Sequence, residues 1–221
     1  FISPVILLIK DHYNVSSNEV QLTITIYLVA ICISQVFWGP LSDLIGRRIV
    51  LIIGTSLFSL GGILASLNLA FEVFIFFRFL QGIGAAACLS MPRVMLTESY
   101  GVKKAAAKMS TLLAFMAIFP ILSAAFGGYI GENYGWQTNF FTLFIFGAIV
   151  FLLNYVYSPE TIKNKNKRLT FRTTFLHFRY LFGEISFLYF AGVSSIQAAF
   201  FFSMAGFCLL YTSPSPRDSD Q

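Results

Sequence analysis

Long apolar stretches separated by short polar ones are the feature that most limits how this chain can fold. Each stretch has about 22 residues, enough for a helix to cross a hydrocarbon layer of ~30 Å. Only 11% of the residues are charged, against about 25% in soluble domains. The sequence therefore predicts an all-α membrane protein. We interpret residues 1–9 as the end of a first helix, and the second to seventh helices are predicted at residues 20–41, 49–70, 72–95, 110–131, 136–157 and 185–207.

The polar link between the second and third helices combines glycine and charge at a distinctive spacing. Residues 38–48 read WGPLSDLIGRR, and so short a link requires a tight antiparallel hairpin. A carboxylate at the membrane edge is costly without a partner. We therefore expect Asp43 to pair with Arg47, with Arg48 or with the N-terminal end of a neighbouring helix. A basic hairpin that obeys the positive-inside rule would explain the two arginines, but not the spacing of the glycines and the aspartate.

This run resembles the signature loop between the second and third helices of major facilitator superfamily transporters. In that family the aspartate and arginine of the loop form a charged latch, which closes the cytoplasmic side of the outward-facing state. Both glycines, the aspartate and both basic residues are present here. The resemblance implies a conformational switch and not a substrate site, and we call it the latch. Its residues are Gly39, Asp43, Gly46, Arg47 and Arg48.

An arginine lies one to two turns inside the predicted fourth helix. Burying Arg78 costs up to ~3 kcal/mol on insertion scales, so we expect it to face the bundle interior, with Gln81 one turn on. Gly82 and Gly84 would allow close helix packing. The alternative is an arginine that extends to the outer interface. The run R-x-x-Q-G-x-G-A-A resembles the fourth-helix motif of the superfamily, which implies that Arg78 and Gln81 line the central cavity and serve proton coupling.

The predicted fifth helix carries glycines and a proline. Drug:proton antiporters of the superfamily have Gly-Pro-x-x-Gly-Gly in this helix. Here Ser123 and Ala124 replace the Gly-Pro pair, while Gly127 and Gly128 remain. Pro120 supplies a kink one turn earlier, as in the bicyclomycin/chloramphenicol-resistance subfamily, which the chain resembles most. Glycine-mediated packing against the second helix is the structural alternative, and both interpretations can hold together.

A short pattern occurs twice, at the ends of two predicted helices. Residues 39–46 and 128–135 both read Gly-x-x-x-acid-x-x-Gly. The first copy ends the second helix and the second copy ends the fifth, on the opposite side of the membrane. An inverted three-plus-three repeat predicts this relation. We expect Glu132 to close a periplasmic counterpart of the latch.

The basic residues indicate how the predicted spans are oriented in the membrane. Twelve basic residues lie on the latch side of the predicted spans and one on the other side, which places the latch in the cytoplasm. Polar loops are predicted at residues 10–19, which include His12, and at residues 98–108.

The chain divides into four predicted parts. They are a six-helix half with a truncated first helix (1–157), a basic cytoplasmic connecting loop (158–184), the seventh helix that begins the C-terminal half (185–207) and a non-native tail similar to a translated sequencing-library adapter (208–221).

The sequence lacks the motifs of common enzymes and metal sites. No H-E-x-x-H, G-x-S-x-G or P-loop run occurs, and the three cysteines match no metal or redox spacing. We expect no catalytic residues, no cofactor and no metal. The net charge of +5 comes from bases spread over short loops, which does not indicate nucleic-acid binding.

The resemblance implies a proton-coupled exporter of drugs or other small molecules, which works by alternating access in the bacterial inner membrane. Its expected partners are a small-molecule substrate, protons and the lipid bilayer, and the full-length protein is expected to be a monomer. The altered fifth-helix motif leaves open a symporter or uniporter for a small solute. A membrane-embedded enzyme would need a polar cluster at membrane depth, where the predicted helices offer Arg78 and scattered Ser, Thr and Gln.

Overall fold

The computed structural model describes residues 5–162 and, apart from 186, 190 and 194, residues 183–196; at 102, 117, 120 and 121 it describes the backbone alone. The chain forms two compact units, Phe1–Arg168 and Leu169–Gln221. The described part is helical and contains no strand. The helices of the first unit are α1 (Ile6–Tyr13), α2 (Ser17–Ile45), α3 (Arg47–Ser66), α4 (Phe71–Tyr134) and α5 (Trp136–Tyr157).

The predicted hairpin is formed by α2 and α3. A capping box starts α2: the Ser16 hydroxyl accepts from the Glu19 N–H (3.3 Å), and the Glu19 carboxylate accepts from the Ser16 N–H (2.8 Å). This polar cap starts the helix three residues before the predicted span. Gly46 alone separates α2 from α3, with φ at +114°, a conformation that side-chain-bearing residues rarely adopt.

α4 consists of two helical segments joined by a kink at Gly101, where φ is +72° and ψ is 159°. The expectations that the fourth helix ends at residue 95 and that residues 98–108 form a loop were wrong. The first segment continues to Gly101 and the second follows at once, because a single glycine suffices for the kink. The second segment, residues 102–134, includes the predicted fifth helix.

Two further joints differ from what the sequence indicated. α1 continues past Lys10 to Tyr13 and ends at Asn14 in the left-handed conformation, with φ at +51°. His12 therefore lies on a helix and not in the predicted loop. At the far end of α4, Gly135 alone connects it to α5, with φ at +84°.

Four described helices are long and apolar enough to cross a membrane, by length and composition: Ser17–Ile45, Arg47–Ser66, Phe71–Gly101 and Trp136–Tyr157. They overlap four of the predicted spans, and Trp136–Tyr157 has the predicted bounds. In the second unit, residues 185, 187–189, 191–193 and 195–196 are helical. The rest of the predicted seventh helix, the predicted tail and most of the connecting loop lie outside the described residues.

Two buried apolar clusters stabilise the first unit, one at each end of the bundle. The cluster near Arg47 includes Trp38, Val50 and Met91. The indole N–H of Trp38 donates to the carbonyl of Ile83 on α4 at 2.9 Å. The cluster at the opposite end, which we call the Trp136 end, consists of Val5, Ile9, Val20, Ala65, Phe74, Trp136 and Phe140.

Candidate functional site

The latch lies where α2 ends and α3 begins, so that Asp43 and Arg47 are one helical turn apart. Arg47 Nη2 lies 2.5 Å from Asp43 Oδ1. Arg47 Nη1 donates to the hydroxyl of Ser42 and, at 3.5 Å, to the carbonyl of Gly39. The partner that Asp43 requires is therefore Arg47, from the same hairpin.

A second carboxylate reaches Arg47 from α4. Glu98 Oε1 accepts from Arg47 Nη2 at 3.0 Å and from Arg47 Nε at 3.2 Å. The Arg47 side chain is 11% exposed, while those of Asp43 and Glu98 are 33% and 30% exposed. One guanidinium thus joins α2, α3 and α4, in a place that water partly reaches.

The other latch residues do not pair with Asp43. Arg48 Nη2 donates to the carbonyl of Tyr155 at 2.6 Å, near the end of α5. A Cβ on Gly46 would collide with the carboxylate of Glu160, whereas a Cβ on Gly39 would have open space around it. A glycine is therefore required at position 46, both for the backbone conformation and for the close approach of Glu160. Neither reason applies at Gly39.

The second candidate site is the interior of the bundle around Arg78, which is 2% exposed. Its Nη1 donates to Gln81 Oε1 at 2.5 Å. The guanidinium carbon lies 4.3 Å from the centre of the Tyr27 ring and 5.6 Å from that of Phe140. Aromatic faces from α2 and α5 thus replace part of the hydration of this cation. An arginine extended to the outer interface does not fit this burial.

Two donors of the Arg78–Gln81 pair have no acceptor in the described part of the chain. They are Arg78 Nε and Gln81 Nε2, and Gln81 is fully buried. Buried donors without an acceptor are costly, so an acceptor that enters this interior would bind here favourably.

Comparison with known proteins identifies the family of the chain. A family model described as Major Facilitator Superfamily matches residues 1–216. The chain belongs to the major facilitator superfamily. It is a multi-pass integral membrane protein of the bacterial inner membrane.

Two relatives of the chain carry the names of drug resistance proteins. The chain is 30% identical over 148 residues to "Multidrug resistance protein MdtL" of Escherichia coli O81, which covers 67% of the chain and 38% of that protein. It is 27% identical over 164 residues to "Bicyclomycin resistance protein homolog" of Haemophilus influenzae, which covers 74% of the chain and 41% of that protein. The chain thus spans about two-fifths of the length of these relatives.

The glycines of the superfamily's fourth-helix motif lie at close helix contacts. A Cβ on Gly84 would lie 2.5 Å from the carbonyl oxygen of Gly54 on α3, and one on Gly82 would lie 2.6 Å from the carbonyl oxygen of Tyr27 on α2. The two glycines therefore face different neighbours, and each brings two backbones together.

The residues that resemble part of the antiporter motif occupy the second segment of α4. Gly127 is buried, and its carbonyl accepts from Asn139 Nδ2 at 2.9 Å. Gly128 is half-buried, and the helix passes through Pro120, whose side chain lies outside the described set. Glu132 is exposed and forms no ion pair within the described residues. Its role as a second latch stays a prediction.

Sequence reasoning missed the partners that come from distant helices. Glu98 appeared only within a predicted polar loop, and Glu160 with Thr161 only within the predicted connecting loop. Tyr27, Phe140 and Asn139 lie in apolar runs in which no local pattern marks them. Their roles depend on how the helices pack, and a single sequence does not encode that packing locally.

Proposed function

We propose that this chain forms part of a proton-coupled exporter of small, often lipophilic molecules that works by alternating access. The observation that carries the proposal is the Arg47 ion-pair group, which joins α2, α3 and α4 at one end of the bundle. Contacts of this kind, one-third exposed at the carboxylates, break and reform at low cost. They suit a part that opens and closes repeatedly.

The names of the relatives support a drug as the substrate. They are called multidrug resistance and bicyclomycin resistance proteins. The buried pair of Arg78 and Gln81 offers two donors without acceptors, and the rings of Tyr27 and Phe140 offer apolar faces beside them. This combination fits a lipophilic molecule with a carbonyl or another acceptor group. Proton coupling is supported by the resemblance of the run around Arg78 to the fourth-helix motif of the superfamily.

The same proposal assigns roles to the remaining predicted residues. Gly82, Gly84, Gly127 and Gly128 keep helices in close contact, and Pro120 shapes the fifth helix. Glu132 closes the Trp136 end when the latch is open. Substrate, protons and lipid are the partners, and the protein acts as a monomer without making or breaking covalent bonds.

The test uses the complete product of the gene in bacteria that lack their own drug exporters. The probes are ethidium and chloramphenicol, and export is followed with and without a protonophore. We expect export that stops when the proton gradient collapses, and no export by an Arg78→Met variant present in the membrane at the same level. Export that survives the protonophore would contradict proton coupling. No export of either probe would contradict the exporter.

A symporter or uniporter is the second candidate, because Ser123 and Ala124 replace the Gly-Pro pair of the antiporter motif. The discriminating measurement is the direction of flux in inverted and right-side-out vesicles. Antiport predicts that a proton gradient drives substrate against proton movement. Symport predicts that both move the same way, and uniport predicts no dependence on the gradient.

A further inference from the structure

The chain just beyond α5 folds back onto the latch. α5 ends at Tyr157, and Pro159 follows one residue after its C-cap, where it prevents the helix from continuing. Glu160 then accepts from the N–H of Ile162 at 3.3 Å through Oε1. This local bond holds the carboxylate close to its own backbone.

The carboxylate of Glu160 also caps α3. Its Oε1 accepts from the backbone N–H of Arg47 at 3.0 Å. The first N–H groups of a helix have no acceptor within the helix, and this end of the helix dipole favours an anion. Because Gly46 has no side chain, the carboxylate can approach this closely.

Thr161 makes a second connection, to α4. Its hydroxyl donates to Glu98 Oε2 at 2.5 Å, while the other oxygen of Glu98 binds the guanidinium of Arg47. Glu98 therefore uses one oxygen for the latch and the other for the chain that follows α5. Rotation of Glu98 toward or away from Arg47 also changes its bond to Thr161.

We propose that Glu160 and Thr161 are positioning residues of the latch. We call them the tether, because they fix the start of the chain after α5 to the two helix ends that the latch joins. When the latch opens, Glu98 releases both Arg47 and Thr161, and the tether loosens with it. Holding the tether in place keeps the latch closed. The inference rests on the proposed function, because a latch matters only if the protein changes conformation.

The test measures hydrogen–deuterium exchange of the gene's complete product in lipid nanodiscs. We expect the amide of Arg47 to exchange about tenfold faster in Glu160→Ala, since its acceptor is lost. Glu160→Gln should lie between, because its amide oxygen still accepts. Glu184→Ala is the matched control, since this exposed residue lies outside the tether, and it should equal the wild type.

Thr161→Val and Thr161→Ser separate the hydroxyl from the shape of the side chain. We expect faster exchange over residues 39–46 in Thr161→Val, a change in transport turnover of about fivefold with unchanged KM, and full rescue in Thr161→Ser. Unchanged exchange at Arg47 in Glu160→Ala would overturn the tether. The tether would also be overturned if Arg47 exchanged faster in Glu160→Ala while exchange over residues 39–46 and transport turnover both stayed at the level of Glu184→Ala. If the wild type transports none of the probes, the proposed function fails, while the exchange data still test the tether.

Discussion

The guanidinium of Arg78 lies 4.3 Å from the centre of the Tyr27 ring, on a neighbouring helix. A cation–π contact that is shielded from water contributes about 2 kcal/mol. Since Arg78 is 2% exposed, this ring is one of the few groups that compensate for its lost hydration. The position of the arginine thus depends on an aromatic face and not on a carboxylate within the described residues.

Replacing Tyr27 with leucine should therefore reduce export about tenfold, because the ring that stabilises the buried cation is lost. Tyr27→Phe keeps the ring and should stay close to the wild type. The measurement is the initial rate of probe export, normalised to the amount of protein in the membrane. Equal rates for the leucine and phenylalanine variants would argue against a cation–π role.

Asp43→Asn should favour the state in which the latch is open. The pair with Arg47 is partly exposed, so we expect a change of about 1 kcal/mol, or roughly fivefold in the ratio of the two states. Hydrogen–deuterium exchange over residues 39–47 measures this shift. Glu72→Gln, at the Trp136 end, is the matched control. Salt near 1 M should shrink the difference between Asp43→Asn and the wild type, because it screens the ion pair; a difference that persists unchanged would contradict an electrostatic cause.

Gly84→Ala should destabilise the protein, because its new methyl group would meet the backbone of α3 at Gly54 and Phe58. Overpacking of this kind costs about 1–3 kcal/mol. Gly39→Ala, by contrast, has open space around the added Cβ and should unfold at the wild-type temperature. Thermal unfolding of the purified variants in detergent compares them. A similar loss of thermal stability in both variants would show that the close contact of α3 and α4 is not the cause of the destabilisation.

Glu132→Gln tests the second latch. Glu132 is exposed, so the free energy of unfolding should change by less than about 0.5 kcal/mol. If Glu132 closes the Trp136 end, the variant should still shift the balance between the two states and lower export. A variant with wild-type export and a wild-type distribution of states would end this hypothesis.

The contacts within one hairpin or one helical turn could be read from the sequence. Asp43 and Arg47 are four residues apart, and Arg78 and Gln81 are three apart, so helical geometry brings each pair together. Gly46 lies in the short link that was expected to form a tight hairpin for the same local reason. Here the spacing along the chain nearly determines the spacing in the fold.

Contacts between helices could not be read in this way. Glu98 lies 51 residues from Arg47 and Glu160 lies 113 residues from it, and only helix packing brings them together. The fourth helix was expected to end at residue 95, but the structure continues it through Pro92 to Gly101, because a membrane helix can tolerate a proline where neighbouring groups satisfy the freed backbone.

Single glycines make three of the joints between helical segments, at Gly46, Gly101 and Gly135. A joint of one residue leaves no slack, whereas residues 67–70 form a short link between α3 and α4. A foreign peptide such as an epitope tag should thus be accepted within that link and rejected at any of the three glycines, where it would force apart helices that are in direct succession. Because Gly46 alone joins α2 to α3, the end of α2 and the start of α3 must stay adjacent in every conformation that the protein adopts.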